Sequence, residues 1–285
     1  MEKNQVIDLE ITDLSYEAMG VAHYNGMTVF VTNALPGEIV SAKILKVKKN
    51  FAFAKIEKIK KESPDRVKVE LNQGVQTGLA SLAHIKYDKQ LAFKRNQVVN
   101  LLKKAHLENI EVGETLASPE EVGYRNKAQV PVREVNGKLE IGFFRRHSHD
   151  LVPLTNFFTT DPEIDRVLVA VRDILRKYKV PAYDEINNKG EVRYLEVRRS
   201  KSTGEMMVIL VCLHKDFMQL PNVAAEVSQI PGVSGLTLNY NPKKTNVILG
   251  QKDYLVFGND QITDQIGDLK FRISPQSFFQ INSLQ

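Results

Sequence analysis

The chain has 285 residues, 42% of them hydrophobic and 26% charged, a composition that suits a globular protein with enough material for two ordinary domains. Its single cysteine excludes an intrachain disulfide framework and suits a reducing compartment. A formal net charge of +5 favours an anionic partner only weakly, because a mild excess also serves solubility.

Met1–Gln5 is polar and reads as no signal peptide, and the longest apolar run, Met206–Leu213, is too short to cross a bilayer; a cytoplasmic location without membrane contact is expected. The first sixty residues read as short strands. Val6–Thr12 alternates apolar and polar, and Gly20–His23 and Met27–Thr32 form a hairpin over Asn25-Gly26. A turn at Leu35–Glu38 leads into Ile39–Lys48 and Phe51–Ile59, joined across Lys49-Asn50. Five strands in so short a span predict a small all-β barrel of the oligonucleotide-binding kind. Lys61–Pro64 reads as a connector, and Lys86–Ala105 as a helix with Leu91, Val98 and Leu102 on its apolar face.

From Val122 onward strands and helices alternate, which predicts an α+β domain. Asn126–Val132 and Leu139–Phe144 flank the turn Asn136-Gly137. Asp161-Pro162-Glu163 supplies an N-cap, a proline at the first helical position and an early acid for a helix ending before Pro181. Val192–Ser200 and Glu205–Leu213 pair as a hairpin, Val223–Gln229 is helical, Gly235–Tyr240 and Asn246–Gly250 are strands, and Ile262–Ile273 is a final hairpin.

Charge is clustered. Between Lys43 and Lys61 stand eight lysines against one acid, Glu57, interleaved with Phe51 and Phe53. Arg145, Arg146, His147 and His149 make a second knot, and Arg193, Arg198, Arg199 and Lys201 a third. Such patches release counterions from nucleic-acid phosphates; they equally serve as solvated strand edges that deter pairing. No nucleotide-cradling glycine loop, C-x-x-C or H-E-x-x-H motif occurs. Cys212 lies in a strand apolar on both faces with no neighbouring base, which reads as a small core residue. His147-x-His149 is the one spacing that could suggest a metal, and a weak one, so no metal is expected. The acids of Asp161–Asp165 are explained by helix capping.

Residues 6–59, through Gly20-Val-Ala, Asn25-Gly26, Val29-Phe-Val31 and Leu35-Pro-Gly-Glu38, resemble a TRAM domain, a small RNA-binding β-barrel. Gly123-Tyr-Arg-Asn-Lys-Ala128, Ile141-Gly-Phe-Phe-Arg145, His149-Asp-Leu-Val152 and Ser274-Pro-Gln-Ser-Phe-Phe-Gln-Ile-Asn282 follow in order. Together these motifs resemble the TRAM-containing 23S ribosomal RNA (uracil-5-)-methyltransferases, S-adenosylmethionine-dependent enzymes of the class I fold.

The resemblance implies a domain plan: residues 1–60 as the barrel, 61–82 and 115–265 as a central α+β domain, and 83–114 and 266–285 as elements packing on a catalytic domain. The C-terminal end would open a Rossmann-like methyltransferase domain, with Phe278–Ile281 entering a helix. It also implies a covalent mechanism in which a cysteine thiolate adds to uracil C6, C5 takes the methyl group and a carboxylate removes the C5 proton. In that family the glycine-rich donor loop, the cysteine and the glutamate lie beyond the Ser274–Asn282 motif. The catalytic domain is therefore expected to be missing from this chain, and the chain alone to be inactive with no catalytic residue of its own. By resemblance Gln280 and Asn282 border the methyl donor and Phe278 lies near the target base. Arg125, Arg145, Lys46, Lys48, Lys49 and Phe51 are the candidate RNA contacts. RNA, most readily 23S ribosomal RNA, is the implied partner, and DNA is not. The ribosomal preference comes from typical tRNA-specific relatives lacking the barrel. An iron–sulfur site carried by many members would need cysteines near Leu71, Thr77, Ala80 and Phe157, so no cluster is expected and apolar packing should replace it. A non-enzymatic TRAM-type RNA-binding or ribosome-associated protein is the alternative reading.

Overall fold

The computed structural model describes residues 1–69, 76–146 and 148–285. The chain groups into two compact units, Met1–Val75 with Ala80–Ala117, and Gln76–Leu79 with Ser118–Gln285.

In the first unit six strands, β1 (Val6–Glu10), β2 (Asp13–Leu14), β3 (Gly20–Tyr24), β4 (Met27–Thr32), β5 (Ile39–Val47) and β6 (Phe51–Lys61), form one sheet in the order β1-β5-β6-β4-β3-β2. β1 pairs with β5 while its near-continuation β2 pairs with β3, so a bend at Ile11-Thr12 brings the two ends of the sheet onto one stretch of chain. That is how the expected barrel closes and removes its edges. Its bore holds Ile7, Leu9, Val29, Val31, Val40 and Ile44 together with Ala22, Ala34, Ala42, Ala52 and Ala54, small residues that allow close approach of the strands. Asn25 and Gly26 both adopt positive φ (49° and 77°), as a type I′ turn demands. The other pairings in this sheet are antiparallel, whereas β4 runs parallel to β6.

A buried ion pair ties the Leu35–Glu38 turn to the connector. Glu38 is fully buried and accepts from Leu35 N (2.9 Å), Ser63 N (3.3 Å), Arg66 Nε (2.5 Å) and Arg66 Nη2 (2.8 Å). Burial pushes its carboxyl up, but the Arg66 and backbone donors outweigh this and hold it below the usual glutamate value. His84, 3% exposed beside this pair, has neither ring nitrogen hydrogen-bonded among the described residues, and burial, seconded by the Arg66 charge, pushes it down to about 4. Helix α1 (Tyr87–Lys104) forms where expected but buries no residue; Val98 and Leu101 are about half exposed.

The second unit is built on a seven-stranded mixed sheet. Its strands are β7 (Lys127–Val135), β8 (Lys138–Phe144), β9 (Leu151–Pro153), β10 (Val192–Arg199), β11 (Met206–Cys212), β12 (Val233–Tyr240) and β13 (Lys252–Gly258), in the order β13-β12-β11-β10-β7-β8-β9. Helices α2 (Pro162–Lys177) and α3 (Leu220–Val227) share one core with Val130, Val132, Leu195, Val197, Val208, Leu210 and Leu236. A hairpin, β14 (Ile262–Ile266) with β15 (Leu269–Ile273), packs Ile262 and Ile273 with Met207, Ile209 and Val211. Alternate residues of β11 thus enter different cores, which explains why every residue of Met206–Cys212 is buried. Asp161 caps α2 by accepting from Glu163 N at 3.0 Å.

Two expectations are corrected. Asn246–Gly250 is not a strand; the edge strand is β13, farther along. Side-chain amides occupy the backbone there: Asn241 donates to Val247 O and Ile248 O (2.8 Å each), and Asn239 exchanges bonds with Gly250 (3.0 and 2.6 Å). Nor do Phe278–Ile281 enter a helix. The carbonyls a helix would use are taken, since Arg198 donates to Pro275 O (2.9 Å) and Ser277 O (2.7 Å), and Asn126 donates to Gln280 O and Ile281 O (2.9 Å each).

Candidate nucleic-acid interface

Strand alternation builds the first surface. Val29, Val31, Ala52 and Ala54 point into the barrel, so Phe30, Phe51 and Phe53 face outward, each half-buried. Their ring centroids lie 5.5–5.8 Å apart, Phe51 edge-on to both others. Lys46 sits across from Phe53 in the β5–β6 register, where the pairing slips between Ile44 and Lys46, and Lys48 and Lys49 form the hairpin tip. Lys55 and Lys60 are engaged by Glu57 (3.2 Å) and Asp8 (2.6 Å). Lys46, Lys48 and Lys49 are exposed and carry no ion pair among the described residues. Half-exposed rings flanked by ammonium groups without an ion pair among the described residues suit stacked bases with phosphates alongside. Phe30 was missed in the sequence: only the non-local parallel pairing of β4 with β6 sets it opposite Phe53.

In the second unit the structure joins Arg125 to the C-terminal motif. Arg125 bridges to Asn282 and to Thr160, and its Nε is buried without a partner. Asn282 donates to Ser118 Oγ (3.0 Å) and accepts from Leu284 N (3.3 Å), whereas the Gln280 side chain is exposed and uncommitted among the described residues. Both line a cleft of about 750 Å³ with Lys201, Asp264 and Phe279. Phe278 is 86% exposed. Arg145 stands apart from them, exposed on the β8–β9 loop with its N–H on Asp150 O (2.8 Å).

The third cationic knot does not face solvent as a patch. Arg193 and Arg198 are 3% and 5% exposed. Arg193 donates to Asn241 O and Lys243 O (2.7 Å each), and Arg198 pairs with the buried Glu196 (2.6 Å) while holding the C-terminal segment. Arg199 and Lys201 bind Asp161 at 2.7 and 3.3 Å. His147 and Leu71 lie outside the described residues, and His149 meets Glu185 at 3.1 Å. Phe157 is fully buried, edge-on to Phe143 at 5.7 Å, so apolar packing fills that position. Cys212 is sealed, and burial pushes its thiol far up, which excludes it as a thiolate nucleophile. Asp165 was read as a capping acid, but only Asp161 caps. Asp165 accepts from Phe157 N (2.9 Å), its other oxygen is buried and unpartnered, and burial, against that bond, pushes it up to about 7.

Residues 1–56 match the family model described as the TRAM domain. The whole chain is 81% identical to a protein of Lactobacillus johnsonii named as an uncharacterized RNA methyltransferase, and 42% identical to one of the same name from Enterococcus faecalis. The chain thus carries a TRAM domain and is similar over its whole length to proteins named RNA methyltransferase. It spans 63% of the length of each of those two relatives. The fold is that of a Pyrococcus abyssi tRNA (uracil-54, C5)-methyltransferase solved with S-adenosyl-L-homocysteine. The TM-score is 0.72 at 23% identity, over 97% of this chain and 62% of that one. Coverage this complete takes in the barrel, which removes the argument that a barrel favours ribosomal over transfer RNA. The comparisons do not bear out the expectations that the catalytic domain is missing and that the chain alone is inactive. No helix among the described residues is long and apolar enough to cross a membrane.

Proposed function

We propose that the chain carries the RNA-recognition surfaces of an S-adenosylmethionine-dependent methyltransferase acting on C5 of uridine in RNA, with 23S ribosomal RNA as the finer assignment. The observation that carries it is the outward triad Phe30, Phe51 and Phe53 beside unpaired Lys46, Lys48 and Lys49, on a segment that matches the TRAM model. Relatives named RNA methyltransferase favour this over a non-enzymatic RNA binder. The ribosomal choice is the finer assignment that the binding comparison below decides. Residues 83–114 and 266–285 are proposed to pack on a catalytic domain, in part through the exposed Val98, Leu101 and Phe278.

The cleft beside the Ser274–Asn282 motif suits the methyl donor at its rim: Gln280 offers a free amide, and Asn282, already bonded, holds the wall. Bound there, S-adenosylmethionine would supply an electrophilic methyl group on sulfur. Gln280 would orient it, and Arg125 and Phe278 would border the RNA. Arg145 is the separate contact on the β8–β9 loop.

The test is equilibrium binding of the chain to a 23S ribosomal RNA fragment and to a tRNA transcript over a range of salt. Affinity that falls steeply with salt and favours the ribosomal fragment is expected. Salt-independent or absent binding refutes the RNA reading, and preference for the tRNA refutes the finer assignment. Calorimetric titration with S-adenosylhomocysteine tests the donor cleft; heat that is unchanged in Gln280→Ala removes Gln280 from it.

A further inference from the structure

A second cavity, of about 530 Å³, lies in the second unit and shares no lining residue with the Gln280–Asn282 cleft. It forms on the sheet face opposite the helices. Ala128, Val130 and Val132 of β7 enter the helical core, so Gln129, Pro131 and Arg133 take the other face, where Pro131 pairs with Tyr194 of β10. The cavity is large enough for one small ligand and far too small for a duplex.

Its walls are aromatic and fixed. The Arg133 guanidinium lies 5.3 Å from the Phe144 ring centre, 5.1 Å from that of Tyr183 and 5.5 Å from that of Tyr194. Arg133 is itself held by Val132 O (2.8 Å), Arg193 O (3.0 Å) and the Glu185 carboxylate (3.6 Å). Burial acts to raise the Glu185 carboxyl, but His149 and Arg133 hold it below its usual value, so this counter-charge persists at neutral pH. The lining carries three permanent cations, Arg133, Arg193 and Lys244, against that one carboxylate, which leaves the pocket positive. Gln129 and Asn246 line it with side-chain amides that bond nothing among the described residues.

Planar π-faces, uncommitted amide donors and acceptors, and a positive excess are the three things an unstacked nucleotide requires. We propose that this pocket binds a single unstacked nucleotide of the RNA. The base stacks against the half-buried Phe144 and Tyr194, with the buried Tyr183 backing Arg133 beneath them; Gln129 and Asn246 read its edge, and Lys244, which rests on Ile186 O (2.9 Å), turns to its phosphate. This rests on the RNA reading above, but it assigns a site that no motif of the sequence indicated. It is a recognition site, separate from the cleft assigned to the methyl donor.

The probes are RNA hairpins carrying a one-nucleotide bulge, made with each of the four bases and as the abasic analogue, in anisotropy titrations at fixed salt. At least one base-bearing bulge is expected to bind about tenfold tighter than the abasic one. That preference should collapse in Phe144→Leu and in Asn246→Ala, the latter on an exposed loop where folding is not at issue. The steepness of the salt dependence, set by the barrel lysines, should stay in place. Photocrosslinking from 4-thiouridine at the bulge should map to peptides containing Phe144, Tyr183 or Tyr194. Equal affinity for the base-bearing and abasic hairpins overturns the pocket while leaving the RNA reading intact. A preference that survives both substitutions, or crosslinks confined to the barrel, overturns it too. Failure of every hairpin and of ribosomal RNA to bind removes the RNA reading itself.

Discussion

Replacing His84 by leucine probes the most unusual polar group of the barrel-containing unit. A histidine that titrates at 6.5 when unfolded and about 4 when folded stays neutral in the native state, while the unfolded chain takes up a proton. The unfolded state then binds more protons, so stability falls as pH drops below 6.5 and goes on falling to about 4. Between about pH 7.5 and about pH 5 this linkage is worth about 2 kcal/mol. Leucine removes it, together with two buried ring nitrogens that have no partner. The variant should be at least as stable as the parent near neutrality and lose about 2 kcal/mol less on acidification. Amide hydrogen exchange of Val29, Val31, Ala52 and Ala54, corrected for intrinsic rates, reads the opening free energy of this unit at both pH values. Taking the difference between the two proteins cancels every other titrating group. Parallel pH profiles would show that His84 accepts its proton in the folded state, and the reasoning would fail.

Glu38→Gln strands the Arg66 charge in a buried site and should cost the same unit about 3–5 kcal/mol, with Glu38→Gln/Arg66→Met recovering much of it; a single-variant loss below about 1 kcal/mol in urea unfolding would refute the buried pair. The same carboxyl, held below its usual value of 4.5, contributes stability above that pH and loses it as pH falls through its lower folded value. Asp165 runs the opposite way: its folded value is about 7 against 3.8, so ionising it in place is unfavourable, and Asp165→Asn should stabilise the second unit near pH 8 by roughly 2–4 kcal/mol. Denaturant midpoints that do not rise in the variant contradict this. Lys46→Ala/Lys48→Ala/Lys49→Ala should lower the salt slope of RNA binding by about 2–3, whereas Phe51→Leu should weaken binding about tenfold with the slope unchanged; the reverse pattern would dissociate the two roles from these residues.

Local chemistry was legible in the sequence. Alternation in Val6–Thr12 and Met27–Thr32, paired positive-φ residues at Asn25-Gly26 and Asn136-Gly137, and the Asp161-Pro162 cap each act within a few residues, and each formed as expected. What stayed hidden depends on partners far along the chain. Arginines at 193 and 198 look like a solvated charge run until the carbonyls of Asn241 and Ser277 arrive to accept from them. Val247 and Ile248 have the β-branched character of a strand, yet Asn241 takes the carbonyls a neighbouring strand would use. Likewise Phe278–Ile281 reads as entering a helix, but Asn126 and Arg198 take carbonyls that a helix would use and the segment stays irregular. The outward phenylalanine triad depends on a parallel pairing that no hairpin signal announces.

The position of Cys212, in a strand whose two faces both lie in cores, makes this protein its own unfolding counter. A maleimide or iodoacetamide added to the chain meets no other sulfhydryl, and it meets this one only when an inner strand of the second unit, β11, has come apart. Each molecule that opens therefore gains one fixed mass increment and cannot lose it. Timed labelling pulses would tally openings of the second unit directly, without a fluorophore and without an engineered probe.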